Sequence, residues 1–186
     1  MGEVNWIAQA IGILGVGCFL ISFQIKSNKA LLLLQALADF LFGIQFVLLK
    51  GYTGCINMVL IVIRNVFITY RDKYEIMKLK IWKYVFISLF VIVSILTWEG
   101  IRSILPIIAC VFVTYAYFDN NARKYRTYNL FIACPCWLIY DFFVKSYAGM
   151  LNEFLSMMSI TLSIIRFGWN SLGDNIFEKD KIDGNQ

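Results

Sequence analysis

The stretches "KGYTGCINMVL" at 50–60 and "KSYAGMLNEFL" at 145–155 decide how this chain is read. The second follows the first by 95 positions, and Lys, Tyr, Gly, Asn and Leu recur in the same register. Each stretch stands at the head of an apolar run. A motif written twice at one fixed spacing marks an internal duplication.

Composition tells which solvent the duplicated unit meets. Of 186 residues, 60% are hydrophobic and 16% charged, and the mean hydropathy is +0.69. Soluble domains carry about 25% charged residues, so this excess of apolar sequence points to a lipid bilayer. The net charge of +5 sits mostly between the apolar runs. That placement suits a membrane surface, and no nucleic-acid partner is expected. There is no histidine, which removes the usual zinc ligand, the Ser-His hydrolases and the ordinary near-neutral pH switch. The five cysteines lie in or beside apolar runs, unlike an extracellular disulfide framework. "MGEVNW" has no basic lead, so the first run reads as a retained helix rather than a cleaved signal.

A spanning helix needs about 20 mostly apolar residues. Seven runs qualify: 6–24, 31–49, 52–70, 81–98, 102–119, 127–145 and 148–167. Alternate breaks are basic, with Lys26 and Lys29, then Arg71, Lys73, Lys78, Lys80 and Lys83, then Arg123, Lys124 and Arg126. The others carry Lys50, Arg102 and Lys145. The positive-inside rule puts the basic set in the cytoplasm, the N-terminus outside and the C-terminus inside. The 95-residue offset maps runs one to three onto runs five to seven. An odd-numbered repeat needs one extra crossing before its copy can enter in the same sense. The expected fold is an all-α membrane protein of seven transmembrane helices in a 3+1+3 arrangement. Residues 1–72 form the first triple-helix repeat, 73–100 the linker helix, 101–168 the second repeat and 169–186 a polar tail. Parallel repeats of this kind recur in transporters, with the substrate site between the halves.

Two resemblances rest on particular residues. "WLIYDFFVKSYAGMLN" is similar to the W-x-x-Y-G…N pattern of the SWEET sugar transporters in the PQ-loop superfamily, with Trp137, Tyr140 and Asn152 in place and Asp141 where glycine is usual. "SFQIKSNK" resembles the PQ loop, with Phe23 in place of the proline before Gln24. "GILGVGCFLISFQIKSNKALLLLQ" and "LLKGYTGCINMVLIVIRN" resemble the YgjV-type family of bacterial inner-membrane proteins. The second resemblance implies fold and location. The first implies a pocket with paired asparagines, here Asn57 and Asn152.

Both asparagines sit about 8 Å below the outer edge of the apolar slab, at 1.5 Å per residue. Facing each other across a pseudo-twofold axis, two amides can clamp a hydroxyl-rich or amide-rich solute. They can equally bond a neighbouring helix. Asn152, Ser156, Ser159, Ser163 and Arg166 step along one helix face, as a water path or as a close-packing surface. Trp137 and Tyr140 complete the expected substrate-binding set, the Trp137 ring being suited to stacking on a flat solute. Asp39 and Arg64 lie at matching depths in the inner half, so an ion pair between them is expected. Asp141 and Glu153 share the outer half. Either can carry a proton or bind a cationic substrate, and either can simply be hydrated at the interface. Pro106 and Pro135 are the two prolines, and each can serve as a hinge. Cys134–Pro135–Cys136 is similar to the metal motif of heavy-metal pumps, but histidine and an ATPase domain are missing. No metal or other cofactor is expected.

The leading expectation is a carrier or facilitator for a small polar solute, using alternating access. The competing one is a receptor on the same frame that binds without transport. No enzyme is expected, for want of a nucleophile–base pair or a phosphate loop. The partners are the bilayer and the solute, and self-association into a homo-oligomer stays open.

Overall fold

The computed structural model describes residues 5–22, 28–119 and 121–167. The Phe23–Gln24 step and the tail at 169–186 lie outside them, as does the Arg166 side chain. Among the described residues there is helix and no strand. The helices are α1 (Trp6–Ser22), α2 (Asn28–Leu48), α3 (Tyr52–Tyr70), α4 (Ile81–Leu96), α5 (Ile104–Phe118), α6 (Ala122–Tyr128), α7 (Cys134–Val144) and α8 (Tyr147–Phe167). One π-turn, Asn129–Ala133, welds α6 to α7 into a single rod.

Five of the resulting segments are long and apolar enough to cross a membrane: Ala30–Leu48, Tyr52–Tyr70, Ile101–Phe118, Arg123–Val144 and Tyr147–Ile165. The first and fourth runs yield shorter helices, of 17 and 16 residues. At 1.5 Å per residue these reach about 25 Å, short of a hydrocarbon slab of about 30 Å. Outward side chains are apolar, among them Ile13, Leu14, Phe142 and Ile165.

The helices form a ring in which α1 packs on α2, α2 on α3, α3 on α5, α5 on α7, α7 on α8, and α8 back on α1. Helix α4 stands outside this ring, against α3 and α5. It seals their seam with aromatic rings. Phe67 of α3 lies 4.9 Å from Trp82 and 5.3 Å from Phe86 of α4, and 6.3 Å from Phe118 of α5, centroid to centroid. At the foot of that seam Asp119 meets Lys83 at 3.1 Å and Lys124 at 2.9 Å. Partial burial pushes the Asp119 carboxyl up, but hydrogen bonds from Lys124 and Lys83 outweigh it and hold the group below its ordinary value.

The two opening motifs fold alike. Lys50 and Lys145 both take the left-handed conformation, at φ 59°. The Gly51 amide donates to Phe46 O at 2.9 Å, and the Ser146 amide to Asp141 O at 2.8 Å. The Lys50 amide donates to Val47 O and the Lys145 amide to Phe142 O. These are two Schellman motifs built on matching residues, each closing a helix so that the next can start at once. The left-handed position usually takes glycine; here a lysine stands there twice.

Beyond the turns, α3 and α8 diverge. On α3, burial continues to its far end, through Ile61, Arg64, Asn65, Ile68 and Thr69. On α8, Asn152 and Ser156 are buried, and past them Met158, Leu162 and Ile165 are exposed. Helix α4 covers α3, and among the described residues no helix plays that part for α8.

Candidate functional site

A cavity of about 100 Å³ lies inside the ring, lined by residues of α1, α2, α3, α5, the α6–α7 rod and α8. A second hollow of about 400 Å³, on the outer face of α2 and α3, is walled by Phe40, Ile44, Val47, Val59 and Ile63. It offers no polar side chain for recognition, so the inner cavity is the candidate site.

Toward the turn end the cavity is lined by Trp137 and Asp141 of α7 and by Gly149, Asn152, Glu153 and Ser156 of α8. Close packing brings these together. A Cβ on Gly149 would stand 2.5 Å from Asp141 Oδ2 and 2.5 Å from Ser146 Oγ. Only glycine lets the α8 backbone come that near to the carboxylate. Asp141 is 2% exposed, so it is not hydrated at an interface. Asn152 donates from Nδ2 to Glu153 Oε1 at 3.3 Å, which leaves its carbonyl oxygen toward the cavity. Trp137 stacks on Phe46, with centroids 6.0 Å apart and planes 22° apart.

At the basic end the lining is Gln35, Asp39, Arg64, Asn65, Tyr117 and Tyr125. Asp39 and Arg64 do not form the expected direct ion pair. Asn65 stands between them, donating to Asp39 Oδ2 at 2.9 Å and accepting from Arg64 Nη2 at 3.1 Å. Arg64 also donates to Thr114 at 3.0 Å, and its guanidinium lies 4.8 Å from the Tyr117 ring centroid. One amide shares out both charges, because helical neighbours 64 and 65 point to adjacent faces of α3.

The expected asparagine clamp does not form. Asn57 is fully buried and lies outside the cavity lining. Its Nδ2 donates to Ser94 Oγ of α4 at 2.8 Å and to Thr53 O at 2.7 Å. The bond to α4 holds it away from the cavity. Ser159 is exposed and also lies outside the lining, because the stripe leaves the cavity after Ser156. Tyr140 is fully buried behind the lining. Its hydroxyl accepts from the Gly54 amide at 2.8 Å, across from α7 to α3, and so caps an amide that the helix itself leaves unpaired. Pro106 sits in the first turn of α5, where proline breaks no helix. Pro135 follows the π-turn, whose Cys134 amide bonds back to Asn129 O. A π-turn thus stands beside a proline, with Asn129 on the cavity wall.

Three structural groups escaped sequence reasoning. Asn65 was hidden beside the more conspicuous Arg64. Gln9 of α1 accepts from the Ala148 amide at 3.1 Å and donates to Lys145 O at 2.8 Å, pinning the α7–α8 turn. Glu99 accepts from the Tyr52 and Thr53 amides and caps α3 in the same way. Gln35 and Asp39, one helical turn apart on α2, were the legible signal for a polar cavity wall.

A family model described as "bacterial inner membrane protein" (Imp-YgjV) matches residues 6–171. The chain belongs to this family. It is 25% identical over 163 residues to inner membrane protein YgjV of Escherichia coli (strain K12), a match covering 87% of this chain and 85% of that relative. No solved structure matches it. This member of the Imp-YgjV family is a multi-pass protein of the bacterial inner membrane.

Proposed function

We propose that this protein is a carrier or facilitator for a small polar solute, built as two parallel triple-helix repeats joined by α4. The first repeat is α1–α3 and the second is α5–α8, with the N-terminus outside and the C-terminus in the cytoplasm. The observation that carries the reading is the polar cavity on the axis of the ring, walled by helices of both halves. A buried polar hollow in an apolar membrane chain is costly unless it serves a solute or an ion. The paired Schellman turns and the packing of α1 on α8 and of α5 on α3, which exchange under a twofold axis, support the repeat. The resemblance to SWEET and PQ-loop carriers points the same way. Alternating access would come from one half rocking on the other, with the π-turn before Pro135 taking up the bend.

The test is flux into proteoliposomes of purified protein. A panel of labelled amines, sugars, amino acids and nucleosides would be offered with and without a proton gradient. Uptake of one compound, lost in Asn152→Ala, is the expected result. Binding without uptake would make the protein a receptor on this frame. Neither binding nor uptake of any compound would remove the carrier reading.

A further inference from the structure

Three oxygen atoms on the cavity wall are buried and have no hydrogen-bond partner: Asp141 Oδ1, Asn152 Oδ1 and Ser156 Oγ. Their residues are 2%, 7% and 5% exposed. A buried acceptor left unpaired costs about 1–3 kcal/mol, so three along one wall of the cavity call for hydrogen-bond donors on whatever fills it. Asn152 Oδ1 is a carbonyl oxygen and can only accept, and an ionised Asp141 only accepts too. Ser156 can accept as well. The complementary ligand therefore donates.

Charge narrows the choice. Glu153 adds a second carboxylate beside Asp141. Among the described residues neither has a Lys or Arg nitrogen within ion-pair distance. The one guanidinium on the wall, Arg64, is held by Thr114, Asn65 and the Tyr117 ring. This end of the cavity holds two carboxyl groups and, among the described residues, no cation in ion-pair range. Size narrows it further. About 100 Å³ is well under the roughly 300 Å³ at which pockets for drug-sized ligands begin. A primary ammonium carries N–H donors for the carboxylate and carbonyl oxygens of this wall. Trp137 and Phe46 offer aromatic surface for its charge and a short alkyl group.

We propose that Asp141, Asn152 and Ser156 form a recognition site for a small primary ammonium ion. This inference rests on the carrier reading of the same cavity and names its substrate class. Binding of methylammonium to purified protein in detergent, by calorimetry at constant ionic strength, tests it. The expected result is saturable binding, with tetramethylammonium and sodium failing to compete. Asp141→Asn and Ser156→Ala should each weaken binding about tenfold or more, while Phe142→Ala, on the outer surface, leaves it unchanged. If Asp141→Asn fails to fold, Ser156→Ala, which removes one small hydroxyl, carries the test. No binding of methylammonium, or equal competition by sodium and tetramethylammonium, overturns the proposal. The two readings part in proteoliposomes. Methylammonium binding without uptake keeps the ligand class and removes transport. Uptake of another solute with no methylammonium binding keeps transport and removes the ligand class.

Discussion

Helices α3 and α8 begin with the same motif and the same turn, yet they do different work. On α3 the buried donors of Asn57, Arg64 and Asn65 are all engaged, and the Asn57 carbonyl oxygen, which has no partner, lies away from the cavity lining. Glu99 caps its first amides, Asn57 bonds Ser94, and Arg64 is shared among Thr114, Asn65 and an aromatic ring. On α8 the matching asparagine and the serine one turn later keep oxygens unpaired on the cavity wall. The difference traces to α4. It packs on α3 and takes up polar groups there, and among the described residues no helix plays that part for α8. The two helices share a motif and a turn, and α4 packs on only one of them.

The largest effect that would break this comparison is at Arg64. Arg64→Ala leaves the buried Asn65 and Thr114 without their donor and removes the cation that Asn65 links to the half-buried Asp39, and should cost about 3–5 kcal/mol. Ser159→Ala, at the matching exposed position of α8, should stay within about 0.5 kcal/mol. Thermal unfolding in detergent measures both. Next come the paired glycines. A Cβ on Gly54 would lie 2.7 Å from the Tyr140 ring, so Gly54→Ala should destabilise by about 1–3 kcal/mol. Gly149→Ala pushes instead on Asp141 and Ser146, and should cut ligand binding more than it lowers the unfolding midpoint.

The smallest effect is at Asp119, which ties α4 to the ring. Its folded pKa is lowered, so its stabilisation is present above the ordinary value of 3.8 and is lost as pH falls below that toward the folded value. Asp119→Asn should therefore lower the unfolding midpoint slightly at neutral pH. The gap to wild type should close under acid and narrow in high salt.

How much of this was legible follows from the same two helices. The helical runs and both turns could be read from apolar length and from K-x-Y-x-G-x-x-N, because lipid leaves few other ways to satisfy a backbone. Asn152 and Ser156 were legible from the repeated motif and helical spacing and Trp137 from the W-x-x-Y pattern, and all three line the cavity. Asn57 was misplaced because its partner Ser94 lies on the helix the repeat cannot predict. The burial of Asp141 was missed although the offset pairs it with Phe46, a core aromatic; a carboxylate written over a core ring was the available signal. Asn65, Gln9 and Glu99 stayed hidden because cross-helix hydrogen bonds leave no period in the sequence.

The most direct measurement compares Asn57→Ala with Asn152→Ala, reading solute binding and thermal stability on the same preparations. The account predicts a split. Asn57→Ala loses about 1–2 kcal/mol of stability through its buried bonds to α4 and keeps its binding, whereas Asn152→Ala keeps its stability and loses its binding. Equal loss of binding in both would restore a symmetric asparagine clamp and contradict the division of labour between α3 and α8.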